Sequence, residues 1–507
     1  MAYSLLLVFI LPALGVPFVY LAGKKSSRAA AFLVALIAIA NMALLFTTVP
    51  EILNSPTHEY IEPYEWINIL ESDFTLFVDG ISVSLAIITT VLIVVAAIFS
   101  VNYMEGKKNL PVYYSLLTLL SLGLVGVFIT SNLLLFYFCW ELMLVPAYFI
   151  IGNWGYRDAY KAAFKFFIFT HAGAVFVLLG IGAIYMVTGT TNMFDAQAAL
   201  VQNIPGSVPW ILVSLTAGFA VKMAVVPVHM WLPDAHSEAP SPMSALLSGV
   251  IISAGAYAIL RLSLGAVLPA VMDPSFGSFG IDFMHGLAVF GVLSAFFGSL
   301  IALVETDIKR IIAYSSIAHM GYVMFGLSLF PTSTVAGVIT ITAAITGTVL
   351  HLVNHAVSKG LLFLSAGAIM HQTEIRDIRE MGGLAGKMPF TAVASFTAAF
   401  SIAGTPPFAC FISEFLIFVG AFEVINNDGF FLWPTALMLI ATVISLAYSL
   451  RYLSHVFLGK AKTEGKKKIV DVPIYMKVAM GVLVVFVVIL GFWPTFFVDL
   501  INTVQFL

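Results

Sequence analysis

A short set of acids, lysines and histidines falls in stretches too apolar to belong to water. Glu141 sits in LLLFYFCWELMLVPAYFI, Lys222 in GFAVKMAVVPVHMWLPD, His319 in AYSSIAHMGYV and Glu414 in ACFISEFLIF. His351, His355 and Lys359 follow one another at intervals of four, which stacks them on one helix face. Inside a bilayer such residues are costly unless paired or wetted, and chains of His, Glu and Lys there mark ion and proton paths. Glu141 and Lys222 invite pairing. A Glu–Lys pair beside a cavity is either a lock between two helices or a switch, since separating the charges moves both proton affinities. A lone interior histidine such as His319 serves hydrogen-bonded packing as often as chemistry, whereas three titratable groups on one face are hard to explain as packing.

The Lys222 stretch also carries prolines at 227, 233, 240 and 242, which no straight helix contains. Broken backbone at membrane depth is tolerated only where protein or a wet cavity surrounds it. Between those prolines lie His229, Asp234, His236 and Glu238. For these four no His-x-x-x-His pair with an acidic third ligand is on offer, so no metal is expected. They read as a cytoplasm-facing mouth or a joint, with His229 placed on the proton path. His171 and Lys165 lie nearer a helix end, where Lys snorkels, and Lys165 reads as structural. Arg261, Arg451 and Lys477 read the same way.

The elements that must hold these groups are membrane helices. The 507 residues are 61% apolar and only 10% charged, with a mean hydropathy of +1.03, which excludes a soluble globular protein. Apolar runs of about twenty residues match bilayer crossings, and nothing alternates as barrel strands do. The expected fold is an all-α polytopic membrane protein of about fourteen transmembrane helices. The N-terminal stretch has no basic n-region and reads as a retained membrane helix. The eleventh span, near 336–370, and the twelfth, near 389–424, are too long for one straight crossing, so bends or breaks are expected in both. Gly404-Thr405-Pro406-Pro407 supplies one in the twelfth, as Pro227 does in the seventh. Two broken helices five spans apart suggest two inverted five-helix repeats, helices 4–8 and 9–13. The expected division is 1–111 for helices 1–3, 112–266 and 284–457 for the repeats, and 458–507 for helix 14.

Basic residues fill alternate loops: Lys24, Lys25 and Arg28; Lys107 and Lys108; Arg157 and Lys161; Lys309 and Arg310; Arg376, Arg379 and Lys387; Lys460, Lys462 and Lys466 to Lys468. The connection 49–79 holds Glu51, Glu59, Glu62, Glu65, Glu71, Asp73 and Asp79 without one lysine or arginine. Basic loops face the cytoplasm, so both termini are expected outside a cell membrane. Cys139 and Cys410 lie in apolar runs and form neither a disulfide framework nor a thiolate site. No phosphate-cradling loop, nucleophile elbow or CxxC occurs, so no catalytic residue or cofactor is expected in this chain.

The runs FYFCWELMLVPAYFIIGNWG, FAVKMAVVPVHMWLPDAHSEAPSPMSALLSG, AYSSIAHMGYV, NHAVSKGLLFLSAGAI and GTPPFACFISEFLIF resemble the antiporter-like subunits of respiratory complex I. That family includes membrane-bound hydrogenases, related archaeal dehydrogenases, chloroplast NDH and Mrp-type cation/proton antiporters. The likeness covers residues 75–455. It implies fourteen helices with inverted repeats and breaks in the seventh and twelfth. It implies that Glu141 is the fifth-helix glutamate, Lys222 its seventh-helix lysine partner, His319 a histidine of the central polar axis, and Glu414 the twelfth-helix acid of the M-type subunit. M-type subunits carry an eighth-helix lysine where this chain has Ser253, so Lys359 is expected to supply the central base. The implied function is proton translocation in a redox-driven complex, with an Mrp-type Na⁺/H⁺ antiporter subunit as the alternative and a silent scaffold as a third reading. Implied partners are other antiporter-like and small membrane subunits and peripheral redox subunits holding flavin, iron–sulfur or nickel–iron centres.

Overall fold

The computed structural model describes residues 3–70, 72–331, 339–460 and 469–506. Glu71, the loop lysines 462 and 466 to 468, and residues 336–338 of the expected eleventh span lie outside the described residues. The chain is a mostly helical polytopic membrane protein. Among the described residues, 11 helices are long and apolar enough to cross a bilayer, and Val208–Met223 and Pro389–Ile402 are shorter apolar helices.

Sequence explains where the helices carrying the charged groups stop. The lysine helix, Val208–Met223, ends on Ala224 in the left-handed region, φ 60°. It resumes only as the short Leu232–Glu238 helix, after Pro227 and the turn to His229. The expected break at 404–407 is there too. Pro389–Ile402 gives way at Gly404, φ 63°, and the glutamate helix, Ala409–Ile425, starts beyond the two prolines. The eleventh span departs from expectation. The histidine helix runs unbroken from Ala343 to Thr373, with no proline in it. At 31 residues it is about 46 Å along its axis, longer than a hydrocarbon core of about 30 Å. All of its residues from Ala344 to Met370 are buried, so it is packed on every side.

Two further features had no counterpart in the sequence reading. Ser241–Val271 is buried at every residue but Pro269 and contains π-helical stretches at Leu247–Ile251 and Ile259–Val267, a local widening often found beside functional sites. The acidic connection folds as an antiparallel hairpin, Glu59–Ile67 on Ser72–Asp79. Its acids have specific partners. Glu62 accepts the N–H groups of Leu5 and Leu6 at 3.0 and 2.9 Å, the orphan donors that open the first helix. Asp79 caps Gly80–Tyr103 and pairs with the buried Arg261 guanidinium. Phe279–Val304 and Ile308–Leu327 pack almost backbone to backbone. A Cβ on Gly291 or Gly321 would strike the facing chain, and this small-residue contact fixes the helix that carries His319.

Candidate functional site

The sequence-selected residues separate into two regions and a charged joint. In the first region Glu141 ends the Leu133–Leu142 helix, and its Oε2 is 3.1 Å from His171 Nδ1. Both remain partly open, with 25% of the Glu141 side chain and 49% of the His171 side chain exposed. Lys222 is buried in the last turn of its helix. Its Nζ donates to the Trp140 carbonyl at 2.8 Å and lies 3.8 Å over the Trp140 ring. The expected Glu141–Lys222 ion pair is therefore not made. Lys222 is held by the residue before Glu141, and the carboxylate turns to His171 instead. Trp140 is itself fixed between Phe136 and Phe219, with ring centroids at 5.7 and 5.2 Å.

The joint is the stretch after the seventh-helix break. Asp234 meets Lys165 at 2.7 Å and Arg310 at 2.8 Å. Arg376 bridges Glu238 at 3.1 Å and Asp307 at 2.6 Å. Burial pushes the Asp234 carboxyl up, but the hydrogen bonds from Lys165 and Arg310 outweigh it and hold it below its ordinary range. These acids are spent on arginine and lysine, which agrees with a joint. Lys165 does not snorkel to a free end; it closes this network. His229 lies apart from the other histidines, with its ring 4.7 Å from Phe297 and Nδ1 unpartnered. His236 is buried on Phe363 with both ring nitrogens unpartnered.

The second region is continuous. His319 Nδ1 lies 3.1 Å from His351 Nε2 and 3.9 Å from Glu414 Oε1. His351 Nδ1 is 3.0 Å from the Ser413 hydroxyl, and His319 Nε2 is 3.3 Å from the Tyr448 hydroxyl. The His355 ring is 5.7 Å from that of His319, and neither of its nitrogens has a hydrogen-bond partner among the described residues. Lys359 donates to the Ser315 hydroxyl and to the Ile312 carbonyl. Ser315 stands one turn before His319, so the lysine joins the helix of that histidine. All of His319, His351, His355 and Lys359 have 0% exposure. Unpartnered imidazole nitrogens at such depth call for water, which makes the column a place where protons can hop. Ser253 donates back to the Gly249 carbonyl at 2.9 Å and adds no charge to the column.

The twelfth-helix break aims Glu414. Gly404 adopts φ 63°, and a Cβ there would collide with the Glu414 carboxylate. Only glycine meets both conditions, the left-handed backbone and the empty space. Glu414 thereby borders a cavity of about 310 Å³ lined also by Thr405, Pro406, Phe415 and Thr442. Sequence reasoning missed Ser315, Ser413 and Tyr448 as members of this region. Hydroxyl residues near His319 were visible, but the partners lie on helices far off in sequence.

Residues 130–445 match the family described as NADH:quinone oxidoreductase/Mrp antiporter, TM. The chain is 31% identical over 501 residues to NADH-quinone oxidoreductase subunit M of Rickettsia felis, covering 96% of this chain and 94% of that protein. Among solved structures it is similar to a chain of the archaeal membrane-bound sulfane sulfur reductase, a respiratory membrane complex (27% identity, TM-score 0.83, covering 97% of this chain and 76% of that one). It is also similar to a chain of the Mrp complex from Dietzia sp. (22% identity, TM-score 0.82, covering 99% and 97%).

Proposed function

Because the chain belongs to the NADH:quinone oxidoreductase/Mrp antiporter membrane-subunit family, we propose that it is an antiporter-like, M-type subunit that translocates protons in a redox-driven membrane complex. The observation that carries this is the buried column from Lys359 through the histidines to Glu414, which has no use in a scaffold. Electron transfer belongs to partner subunits holding flavin, iron–sulfur or nickel–iron centres, and this chain supplies no redox group of its own. The other partners are antiporter-like and small membrane subunits.

In this reading fourteen helices cross the membrane. To the eleven long ones are added Val208–Met223, Ile308–Leu327 and the broken pair Pro389–Ile402 with Ala409–Ile425. Each is either short or carries working polar groups, which is why it reads as less apolar. The two breaks then fall at equivalent places in inverted repeats, and both termini face out of a cell membrane. Protons enter by the seventh–eighth helix half near His229, load at Lys222, cross by Lys359 and its histidines, and leave by Glu414. Moving one charge against 100 mV costs about 2.3 kcal/mol, and a two-unit swing in proton affinity is worth about 2.7 kcal/mol, so modest changes in neighbouring charge suffice to drive it.

The Na⁺/H⁺ antiporter reading shares the family match, and its 22% structural likeness speaks to the fold alone, whereas the M-type relative matches nearly end to end. Glu414 also favours the M-type, since the resemblance puts lysine there in Mrp D-type chains. The test is the complex reconstituted in vesicles and driven by its electron donor. Acidification should proceed without sodium and vanish in Glu414→Gln. Sodium-dependent proton exchange without electron transfer would overturn the assignment.

A further inference from the structure

The same three side chains that close the second region also point ligating atoms at one another. One atom each from His319, His351 and Glu414 lies within 4.8 Å of the other two. His319 Nδ1 and His351 Nε2 are 3.1 Å apart, and Glu414 Oε1 is 3.9 Å from His319 Nδ1. Zinc bonds of ~2.0–2.2 Å to imidazole and carboxylate set neighbouring tetrahedral ligands about 3.3 Å apart. The two nitrogens already meet that spacing, and the carboxylate, within 4.8 Å of both, has to swing inward by about 0.5–1.5 Å to complete it.

The outer atoms of both rings are engaged in the way metal-ligating histidines require. The Ser413 hydroxyl donates to the Cys410 carbonyl at 2.9 Å, so it accepts from His351 Nδ1–H. That leaves His351 Nε2 with a bare lone pair facing His319. The Tyr448 hydroxyl, 3.3 Å from His319 Nε2, can accept a hydrogen bond from Nε2–H, the tautomer that leaves Nδ1 with a bare lone pair. Lys359 is tied back to Ser315 and Ile312, and its ammonium is not among the ligating atoms. The cavity of about 310 Å³ that borders Glu414 gives an ion a way in.

We propose that His319, His351 and Glu414 form a binding site for a borderline transition-metal cation of the zinc class, and that its occupancy stops proton transfer. Binding ties up the two nitrogens and the carboxylate oxygen that a moving proton must visit. The inhibition rests on the proton-carrying reading of these residues, whereas the binding does not.

The experiment titrates zinc into the purified membrane complex containing the full chain and reads its ligands by X-ray absorption at the zinc edge, with proton translocation followed in parallel. The expected result is a single zinc per chain with two imidazoles and oxygen ligands, and translocation lost as it fills. Ser413→Ala, which frees the His351 ring, should weaken binding about 10–100-fold. His351→Gln should remove the two-imidazole signature, and His236→Gln should keep it. Zinc bound through fewer than two imidazoles, or a two-imidazole signature surviving His351→Gln, overturns the site. The wild-type spectrum decides even where a variant fails to assemble. Two-imidazole binding in a complex that moves no protons upholds the site and overturns the transport reading instead.

Discussion

Glu141 leaves a quarter of its side chain exposed and His171 about half, while His319, His351, His355 and Lys359 expose nothing. Both regions put ionisable groups at membrane depth, but they solve the problem differently. The second is enclosed by its own helices, and each group in it faces another polar group or a neighbouring histidine ring. The first is open on one side. A carboxylate on the flank of a membrane helix is costly against lipid, and Glu141 Oε1, itself buried, has no hydrogen-bond partner among the described residues. Enclosure suits a carrier that works by internal hopping. Openness suits a charge that is read, or completed, by something outside the chain. Lys222, buried but held on the Trp140 carbonyl, stands between the two designs.

The sharpest way to break this contrast is to remove the charge from the enclosed column. Lys359→Met should abolish proton translocation in vesicles, because among the described residues no other lysine bonds into the column and Ser253 only bonds back to its own helix. Ser253→Ala should be nearly silent. Pumping retained by Lys359→Met would move the carrier elsewhere and end the comparison.

In the open region, Glu141→Gln should remove pumping with the complex still assembled, as judged by its subunits on a native gel. Lys222→Met should do the same, since its Nζ is buried and held on the residue next to Glu141. Lys165→Met should cost much less, because that lysine serves the joint through Asp234 and not the column. Equal losses from the two lysines would show that depth does not rank them.

A smaller effect tests how the break aims its acid. Gly404→Ala places a methyl against the Glu414 carboxylate and forces a left-handed alanine, a strain of about 1–2 kcal/mol. Translocation should fall several-fold while assembly persists. Unchanged rates would mean that Glu414 needs no such placement.

These residues also show where the sequence was readable. Buried charge announces itself, because Glu141, Lys222 and Glu414 stand out in apolar runs, and Pro227 and Pro406 mark breaks by removing donors. The four-residue rhythm of His351, His355 and Lys359 placed them on one face, and all three are buried together. Pairing across helices was not readable. Glu141 and Lys222 looked like partners by type, yet the choice between His171 and Lys222 depends on how two helices rotate, which no local pattern records. The eleventh span is expected to bend or break on its length alone, and Ala343–Thr373 shows no break. The π-helical stretches in Ser241–Val271 have no sequence rule strong enough to foresee them.

The smallest expected effect lies in the joint, which both regions share. Asp234 binds Lys165 from the first half and Arg310 from the second, so it couples the helices that carry the two designs. Its carboxyl is held below the ordinary range by those hydrogen bonds, against the upward push of burial. A group with a depressed folded-state pKa stabilises the fold fully above its unfolded value, near 3.9, and loses that contribution as pH falls through the lower folded value. Asp234→Asn removes the charge at every pH. Thermal unfolding of the assembled complex should therefore show the variant less stable than wild type at neutral pH, with the gap narrowing as the medium is taken down through the carboxylate range. The gap should be modest, because the pair is about one-third exposed and solvent screens it. Transport at neutral pH should drop less than in any variant of the column. A gap that stays constant with pH would mean that Asp234 acts by shape alone, and the two halves would then be joined by packing and not by charge.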